Sequence, residues 1–219
     1  IKAELQKKND SGVFSAKLEK IDDQKADIKN KEEAEKLARD IKDKTFVVLD
    51  VKQNEKNRYP YAPFITSTLQ QEAFNKFRFN ATKTMVIAQQ LYEGIDIGQD
   101  APVGFITYMR TDSTQVAAEA INSVRDLILK QFGKDYLPDA PNIYKVKKHA
   151  QEAHEAIRPT VMHYAPESIK SSLSVEQYKL YTLIYNRFVA SQMTPARYLT
   201  TSVDIKADKY QFLASGTSL

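Results

Sequence analysis

The sequence predicts an α+β chain of two domains, in which a mainly helical domain is inserted into a β domain. Stretches with period-two alternation of apolar and polar residues lie at both ends of the chain, whereas the middle carries apolar residues at helical spacing. Proline-containing turns mark both crossings between these regions. We therefore expect the β domain to comprise residues 1–66 and 195–219, and the helical domain residues 67–194.

The composition fits a folded chain and excludes several classes of protein. Of the 219 residues, 42% are hydrophobic and 27% are charged, and the formal net charge is +4, which is typical of globular proteins. The absence of cysteine excludes disulfides, cysteine zinc sites, iron–sulfur clusters and thiol nucleophiles. No apolar run approaches the ~18 residues of a membrane span, and no secretory signal is visible. Because the first residue is not methionine, we expect a piece of a longer protein.

The first part of the chain is predicted to be strands with one helix. Apolar residues alternate with polar ones in two stretches, at Ile1, Ala3 and Leu5 and at Phe14, Ala16 and Leu18. A turn follows at 22–24, and Asn30 is expected to cap a helix that runs past Ile41. Residues 45–51 are β-branched and apolar, which predicts a well-buried strand, and the polar segment 53–63 predicts a connector.

The middle of the chain is predicted to hold four helices, each with apolar residues at helical spacing behind a capping residue. The expected caps are Ser67, Asn80 or Thr82, Ser113 and Ser174. The second and third helices should end at Gly94 and Gly133. A short strand is expected at 104–108 and a long loop at 136–159, and loops of this length are usually functional or disordered. A hairpin around 207–208 is expected near the end of the chain.

The densest group of polar residues predicts a phosphate site around Tyr108. Residues i and i+2 of a strand share a face, so Tyr108 and Arg110 should project together. A guanidinium binds phosphate in a bidentate manner, and the helix expected to follow from Ser113 would add N–H donors. A tyrosine there is placed to attack a phosphodiester, although its pKa of about 10 requires nearby positive charge or a base. The alternative is a packing tyrosine with a hydrogen-bonded hydroxyl.

A second candidate group lies at residues 149–159. His154 and Arg158 are four residues apart, so on a helix they would share a face and could hold a phosphate. The alternative is a helix start with ordinary solvated charges. A zinc site is a poor interpretation, because His149 and His154 lack metalloprotease spacing and no third ligand is evident.

No metal or nucleotide site is predicted. Asp96 and Asp100 are separated by a glycine and are expected to be turn residues. No Asp-x-Asp-x-Glu cluster is present, so no magnesium site can be assigned, and no glycine-rich phosphate loop supports nucleotide hydrolysis.

Five sequence blocks, taken in order, resemble a known family. They are PYAPFITSTLQQEA, LYEGIDIG, PVGFITYMRTDST, AQEAHEAIRPT and RFVASQM. These blocks are similar to the signature blocks of the bacterial type IA DNA topoisomerases, and the flanking strands fit as well. The resemblance implies that the chain is the central arch of such an enzyme, a discontinuous β arch domain with an inserted helical domain that carries the active tyrosine.

The resemblance also implies a role for each matching residue. Tyr108 corresponds to the nucleophile, which holds the 5′ phosphate of a cleaved strand as a phosphotyrosine and needs no ATP for resealing. Arg110 corresponds to the arginine that stabilises phosphate charge beside it. His154 corresponds to a histidine that contacts DNA phosphate near the scissile position. Polar residues expected to contribute DNA contacts, with less defined roles, are Thr107, Thr111, Asp112 and Arg158.

The resemblance further implies what this chain lacks. The family's N-terminal domain, with its acidic magnesium-binding cluster, and the segment that completes the DNA groove are absent from this sequence. Magnesium is therefore expected to be bound by the full enzyme and not by this chain. The implied partners are single-stranded segments of supercoiled DNA and the remaining domains of the same polypeptide, at the nucleoid in the bacterial cytoplasm and without a membrane. The isolated chain is expected not to relax supercoils.

Two other functions stay open on the sequence alone. One is another type IA subclass, topoisomerase III or the topoisomerase part of a reverse gyrase, although the wording of the blocks favours topoisomerase I. The other is a non-catalytic helix-turn-helix module that binds duplex DNA through the helices predicted at 67–93. The low net charge of +4 argues against the second alternative, since such modules make many phosphate contacts.

Overall fold

The computed structural model describes residues 1–8, 10–98, 101–144 and 154–219. They divide into two compact units, one formed by 1–58 with 196–219 and the other by 59–195. The first unit contains the strands and the second contains most of the helices, as the α+β prediction requires. No helix of the described ranges is long and apolar enough to cross a membrane.

The first unit is an antiparallel six-stranded sheet with one helix. Its strands lie in the order β1-β2-β6-β5-β4, and β3 pairs with β2. The elements of this unit are β1 (Lys2–Gln6), β2 (Val13–Ile21), β3 (Gln24–Lys25), α1 (Lys31–Lys42), β4 (Val47–Arg58), β5 (Ala196–Ala207) and β6 (Tyr210–Ser218).

Local sequence signals explain most of this unit. The strands alternate as predicted, and their inward residues form one small core with α1: Ala16, Leu18, Ile41, Ile205, Ala207, Tyr210, Phe212 and Ala214. Asn30 caps α1, since its side chain accepts a hydrogen bond from the Glu33 N–H at 2.8 Å. The β5–β6 hairpin closes with Ala207 opposite Tyr210, and Asp208 between them adopts a left-handed φ of 59°.

Strand β4 differs from its prediction in both burial and length. The expected well-buried strand at 45–51 is wrong, because every residue of β4 is exposed, with Val48 at 53% and Leu49 at 57%. β4 is an edge strand of the sheet. The connector predicted at 53–63 is also wrong in its first half, because these polar residues pair with β5 as far as Arg58 opposite Ala196. The division between the units therefore falls at 58/59 and not at 66/67.

The second unit packs its helices around a larger core. Its helices are α2 (Thr66–Phe77), α3 (Ala81–Glu93), α4 (Ala118–Phe132) and α5 (Val175–Ser191), with short 3₁₀ helices at Lys134–Tyr136 and Pro166–Ser172. The fully buried side chains include Leu69, Leu91, Phe105, Ile106, Met109, Ile128, Ile157, Tyr181 and Phe188. Residues 137–144 and 154–160 contain no helix, as the long loop predicted at 136–159 requires.

The ends of these helices agree with the sequence in part. Asn80 caps α3, since its side chain accepts from the Lys83 N–H at 2.8 Å, and Ser174 forms a capping box with Gln177 at the start of α5. Gly94 and Gly133 follow α3 and α4 as predicted. Ser67, the expected cap of the first of these helices, lies inside α2, because α2 begins at Thr66. The Thr68 hydroxyl instead accepts from the N–H of Ile65, the residue before the helix, at 3.1 Å.

Candidate functional site

The segment that carries Tyr108 is anchored on the end of helix α3. The Phe105 N–H donates to the carbonyl of Leu91 at 2.7 Å, and a Cβ on Gly104 would lie 2.7 Å from the carbonyl oxygen of Tyr92. Only glycine fits so close an approach of two backbones. The strand predicted at 104–108 is reduced to one antiparallel bridge, between Ile106 and Pro159. Buried Phe105 and Ile106 thus fix the start of the segment.

Alternating burial presents Tyr108 and Arg110 to solvent. Met109 between them is fully buried, and Thr111 after them is 6% exposed. Tyr108 itself is 42% exposed, and Arg110 is exposed. Both side chains are therefore accessible to solvent, but these residues form no regular strand, so the shared face expected from i and i+2 spacing stays a prediction. Within the described ranges, neither the Tyr108 hydroxyl nor the Arg110 guanidinium has a hydrogen bond or an ion pair.

Three aromatic rings meet at this point. The ring of Tyr92, from α3, lies edge-on to that of Tyr108 with centroids 5.4 Å apart, and the ring of His154 lies 6.3 Å from Tyr108. The three rings border an open cavity of about 260 Å³, which is lined by Tyr92, Thr107, Tyr108, Thr111, His154 and Glu155. The cavity brings together Tyr108 and His154, which the sequence suggested separately, whereas Arg110 and Arg158 are not among its lining residues. Tyr92 was not singled out from the sequence, and its place in the LYEGIDIG block was the available signal.

Tyr108 differs from the packing tyrosines of the same unit. The hydroxyl of Tyr181 donates to the Tyr164 carbonyl at 2.6 Å, and that of Tyr185 donates to the Met162 carbonyl at 3.0 Å. Burial raises the pKa of both groups, and it raises the pKa of Tyr144 to about 12. The alternative of a packing tyrosine with a satisfied hydroxyl therefore describes these residues and not Tyr108.

Thr66, which the sequence did not single out, holds the segment around Arg110. Its side-chain oxygen accepts from the Thr111 N–H at 2.9 Å and donates to the Met109 carbonyl at 2.7 Å. The Thr66 N–H also donates to the Thr111 carbonyl at 2.9 Å. The first residue of α2 thus fixes the backbone on both sides of Arg110. Its hydroxyl at the start of a helix was a sequence signal, but its partners lie more than 40 residues away.

Thr107 joins the tyrosine segment to the segment that follows His154. Its hydroxyl donates to the Ala156 carbonyl at 2.7 Å and accepts from the Arg158 N–H at 3.1 Å. Its own N–H donates to the Arg158 carbonyl at 3.0 Å. Both hydrogen-bonding directions of the Thr107 hydroxyl are occupied inside the protein. Thr107, which also lines the cavity, therefore connects the two segments through its hydroxyl.

Arg158 has a different setting from the predicted one. Residues 154–158 form no helix, so the expected shared helical face of His154 and Arg158 is wrong. The Arg158 guanidinium donates to Glu155 from Nε at 2.9 Å and from Nη2 at 2.6 Å, and its side chain is only 12% exposed. Arg158 is therefore engaged within the protein, whereas His154 faces the cavity. His149 lies outside the described residues.

The segment after Arg110 also departs from its prediction. Ser113 is buried and accepts from the Gln115 N–H at 3.2 Å, but it caps no helix, because α4 begins only at Ala118. The helix start expected next to the phosphate site is thus displaced along the chain. Thr111 accepts from the Ser113 N–H at 3.0 Å, which stabilises the turn, and Asp112 between them is exposed.

Metal ligands are not assembled in the part of the chain that the structure describes, where no three His, Asp or Glu side chains lie close enough to share an ion. Asp96 is a turn residue as predicted, since its carboxylate accepts from the Gly98 N–H at 2.8 Å. Asp100 lies outside the described residues.

Comparisons with known proteins show which family this chain is similar to. A family model described as DNA topoisomerase matches residues 1–219. DNA topoisomerase 1 of Xylella fastidiosa (strain 9a5c) is 46% identical over 94% of this chain and 26% of its own length. DNA topoisomerase 1 of Campylobacter jejuni is 46% identical over 93% of this chain and 28% of its own length. A structure of full-length topoisomerase I from Thermotoga maritima superposes with a TM-score of 0.77 at 39% identity, covering 94% of this chain and 32% of that one.

Proposed function

The chain belongs to the type IA DNA topoisomerase family, and on that basis we propose that it carries the nucleophile with which a longer topoisomerase I cleaves and reseals one DNA strand. The chain spans about a quarter of the length of the curated relatives above, 26% and 28%. DNA is the substrate that membership of this family implies. The relatives are named topoisomerase 1, which favours this subclass over topoisomerase III and reverse gyrase.

The proposed reaction is a phosphoryl transfer to Tyr108. The phenolic oxygen of Tyr108 forms a bond to phosphorus, the bond from phosphorus to the 3′ oxygen breaks, and the 3′ oxygen leaves as a hydroxyl. The phenol loses its proton and the leaving oxygen gains one, so the step is balanced without an oxidant or ATP. The phosphodiester energy is retained in the 5′ phosphotyrosine, and reversal of the same step reseals the strand.

The observation that carries the proposal is the state of the Tyr108 side chain. It is 42% exposed, it borders an open cavity with His154, and its hydroxyl has no partner in the described part of the chain. A nucleophile must be free and accessible, whereas a packing tyrosine is neither. Because a phenol ionises at a pKa of about 10 in water, Tyr108 needs positive charge close to the phosphate.

Arg110 is proposed to supply that charge. Its guanidinium is exposed, and a planar guanidinium binds two phosphate oxygens at once. Since charge on these oxygens changes as the new bond forms, the interaction is expected to be strongest in the transition state. His154 is proposed to bind a neighbouring phosphate from the other side of the cavity.

The four remaining candidates divide by their contacts. The Thr107 hydroxyl and the Arg158 guanidinium are engaged inside the protein, so we propose that they support the site without touching DNA. Thr111 is buried at 6% exposure and is proposed to hold the turn after Arg110. Asp112 is exposed and stays a proposed contact on the DNA side.

Strand passage is proposed for the whole protein and not for this chain alone. In that proposal, the unit with Tyr108 carries one DNA end away from the remainder of the enzyme, a second strand passes, and closure permits resealing, which relaxes negative supercoils. Any magnesium is expected to bind to other parts of the longer protein, and no step of the reaction above is routed through it. The isolated chain is expected to bind single-stranded DNA weakly and to leave supercoils unrelaxed.

A non-catalytic DNA-binding module remains the second candidate. Helices α2 and α3 are consecutive and each is capped, which is the arrangement that a helix-turn-helix needs. Such a module would bind duplex DNA with steep salt dependence. It would not require an exposed tyrosine on a segment anchored by Thr66 and Thr107, and the exposed Tyr108 therefore favours strand cleavage.

End-labelled oligonucleotides test the proposal directly. The full-length protein that contains this chain is incubated with single-stranded DNA and quenched with denaturant. An oligonucleotide labelled at its 3′ end should transfer label to the protein, because the 5′ phosphate of the downstream piece is captured, whereas a 5′ label should not. Tyr108→Phe should abolish capture, and Tyr92→Phe, which keeps its ring, should still permit it. Capture of the 5′-labelled piece, or an adduct with Tyr108→Phe, would contradict the proposal.

A further inference from the structure

The carboxylate of Glu155 lies at the junction of three segments of the helical unit. Its Oε1 accepts from the Ala117 N–H at 3.0 Å. Its Oε2 accepts from Nε and Nη2 of Arg158, at 2.9 and 2.6 Å. The side chains of Glu155 and Arg158 are 32% and 12% exposed, and such partly buried, charge-assisted bonds are strong and directional. Glu155 is also the residue directly after His154.

The bond to Ala117 replaces a missing helix cap. Ala117 occupies the N-cap position of α4 and makes no side-chain cap hydrogen bond. In a capping box, a Glu or Gln at the third helical position accepts from the N-cap N–H. That position of α4 is Ala120, so Glu155 makes this bond from a segment 38 residues away. The start of α4 therefore depends on a residue that lines the Tyr108 cavity.

Backbone hydrogen bonds fix the same segment on both sides. The Ala156 N–H donates to the Gln115 carbonyl at 2.8 Å, and the Ala156 carbonyl accepts from the Thr107 hydroxyl at 2.7 Å. The carboxylate of Glu155 adds side-chain contacts to the same segment, to the Ala117 N–H and the Arg158 guanidinium. His154 directly precedes Glu155, and its ring lies 6.3 Å from that of Tyr108.

We propose that Glu155 is a positioning residue for strand cleavage, which sets His154 against Tyr108 by joining the start of α4 to Arg158. Both of its oxygens accept from donors of the protein, and its negative charge would repel DNA phosphates, so the proposed role is exerted through His154 and not on DNA. This role rests on the function proposed above. A displacement of about 1 Å in such a site is enough to slow a reaction by a large factor.

The first test is Glu155→Gln in the full-length protein that contains this chain. Glutamine keeps the size of the side chain but removes the charge and turns an amide N–H₂ toward the Arg158 guanidinium or the Ala117 N–H. The rate constant of covalent adduct formation with single-stranded DNA should fall about tenfold. Glu119→Gln is the matched control, because Glu119 carries the same charge in the first turn of α4 and has no partner among the described residues. Equal rates for the two variants would overturn the proposal.

A double-mutant cycle tests whether Glu155 acts through His154. If Glu155 acts through His154, the double variant Glu155→Gln with His154→Ala should be no slower than His154→Ala alone. If the rate reductions of the two single variants multiply in the double variant, Glu155 acts independently of His154 and the proposal is overturned. Should Glu155→Gln not fold, Arg158→Gln breaks the same contact from the other side, and it is expected to show the same non-additivity with His154→Ala.

The wild-type protein distinguishes failure of this role from failure of the proposed function. Absence of any adduct with the wild type would reject strand cleavage, and the positioning role with it. An adduct that forms with the wild type and equally fast with Glu155→Gln would reject the positioning role alone.

Discussion

The side-chain oxygen of Thr66 accepts a hydrogen bond from the backbone N–H of Thr111 at 2.9 Å. The same hydroxyl donates to the carbonyl of Met109 at 2.7 Å, so the start of α2 holds the backbone on both sides of Arg110. This relationship links a helix that lacks an obvious chemical role to the residue proposed to bind the scissile phosphate.

Thr66→Val should therefore both destabilise the fold and impair cleavage. Valine keeps the shape but leaves a buried N–H without its partner, which costs about 1–3 kcal/mol in the free energy of unfolding. Chemical denaturation of the variant measures this loss, and Thr66→Ser, which retains the hydroxyl, should recover most of it. If serine and valine are equally destabilising, the hydrogen bonds are not the reason for threonine at this position.

Arg110→Ala should slow DNA cleavage more than it weakens DNA binding. Arg110 is exposed, and its guanidinium makes no hydrogen bond or ion pair with the described residues, so the fold should be unaffected. Loss of a group that stabilises charge in the transition state costs about a hundredfold in rate. Single-turnover adduct formation and oligonucleotide binding, measured on the same full-length variant, give the two effects. The cleavage rate of Arg110→Lys should be intermediate, because lysine retains the charge without the planar guanidinium. Equal losses of cleavage rate and DNA affinity in Arg110→Ala would argue against this role.

Gly104→Ala should destabilise the helical unit. The added Cβ would lie 2.7 Å from the carbonyl oxygen of Tyr92, so the segment that carries Tyr108 must move away from α3. Such a change costs about 1–3 kcal/mol and should also reduce adduct formation. Gly216→Ala is the control, because no neighbouring atom lies within 4 Å of the position that a Cβ would take there. A Gly104→Ala variant with unchanged thermal stability would mean that the close backbone approach does not constrain this residue.

The hydrogen bond from the Tyr210 hydroxyl to Asp40 predicts a pH dependence in the β unit. This bond holds the pKa of Asp40 below its ordinary value of 3.8, so the folded state favours the carboxylate. Above pH 3.8 the bond therefore contributes fully to the free energy of unfolding. This stabilisation is lost as the pH falls from 3.8 toward the lower pKa that Asp40 has in the folded state.

Asp40→Asn tests this dependence. The variant should be less stable than the wild type at neutral pH, and the difference should shrink as the pH falls below 3.8. Asp43→Asn serves as the control, because Asp43 is exposed and its carboxylate has no partner among the described residues. A stability difference that is the same at pH 7 and at low pH would show that ionisation of Asp40 is not responsible.

Features set by neighbours in the sequence were predictable. The caps Asn30, Asn80 and Ser174 bond to residues three positions along, and the β5–β6 turn depends on two adjacent residues. The exposure of both Tyr108 and Arg110 around buried Met109 also follows from local alternation. These features require no knowledge of distant contacts, which is why pattern and propensity suffice for them.

Features set by distant partners were not predictable. The polar half of β4 is a strand because it pairs with β5, which is more than 130 residues away in the chain, and that pairing overrides its low strand propensity. The start of α4 was misplaced because Glu155 replaces a local cap from 38 residues away. Thr66 was missed for the same reason, since its partners Met109 and Thr111 lie 43 and 45 residues away.

The central claim is that Tyr108 becomes covalently attached to DNA, and identification of the modified residue tests it most directly. The full-length protein is trapped with a single-stranded oligonucleotide, the DNA is trimmed by nuclease, and the tryptic peptides are sequenced by mass spectrometry. One tryptic peptide, residues 84–110, contains both Tyr92 and Tyr108, so fragment ions must locate the adduct within it. We expect a nucleotide 5′ phosphate on Tyr108. The same mass addition on Tyr92, or on any other residue, would contradict the claim.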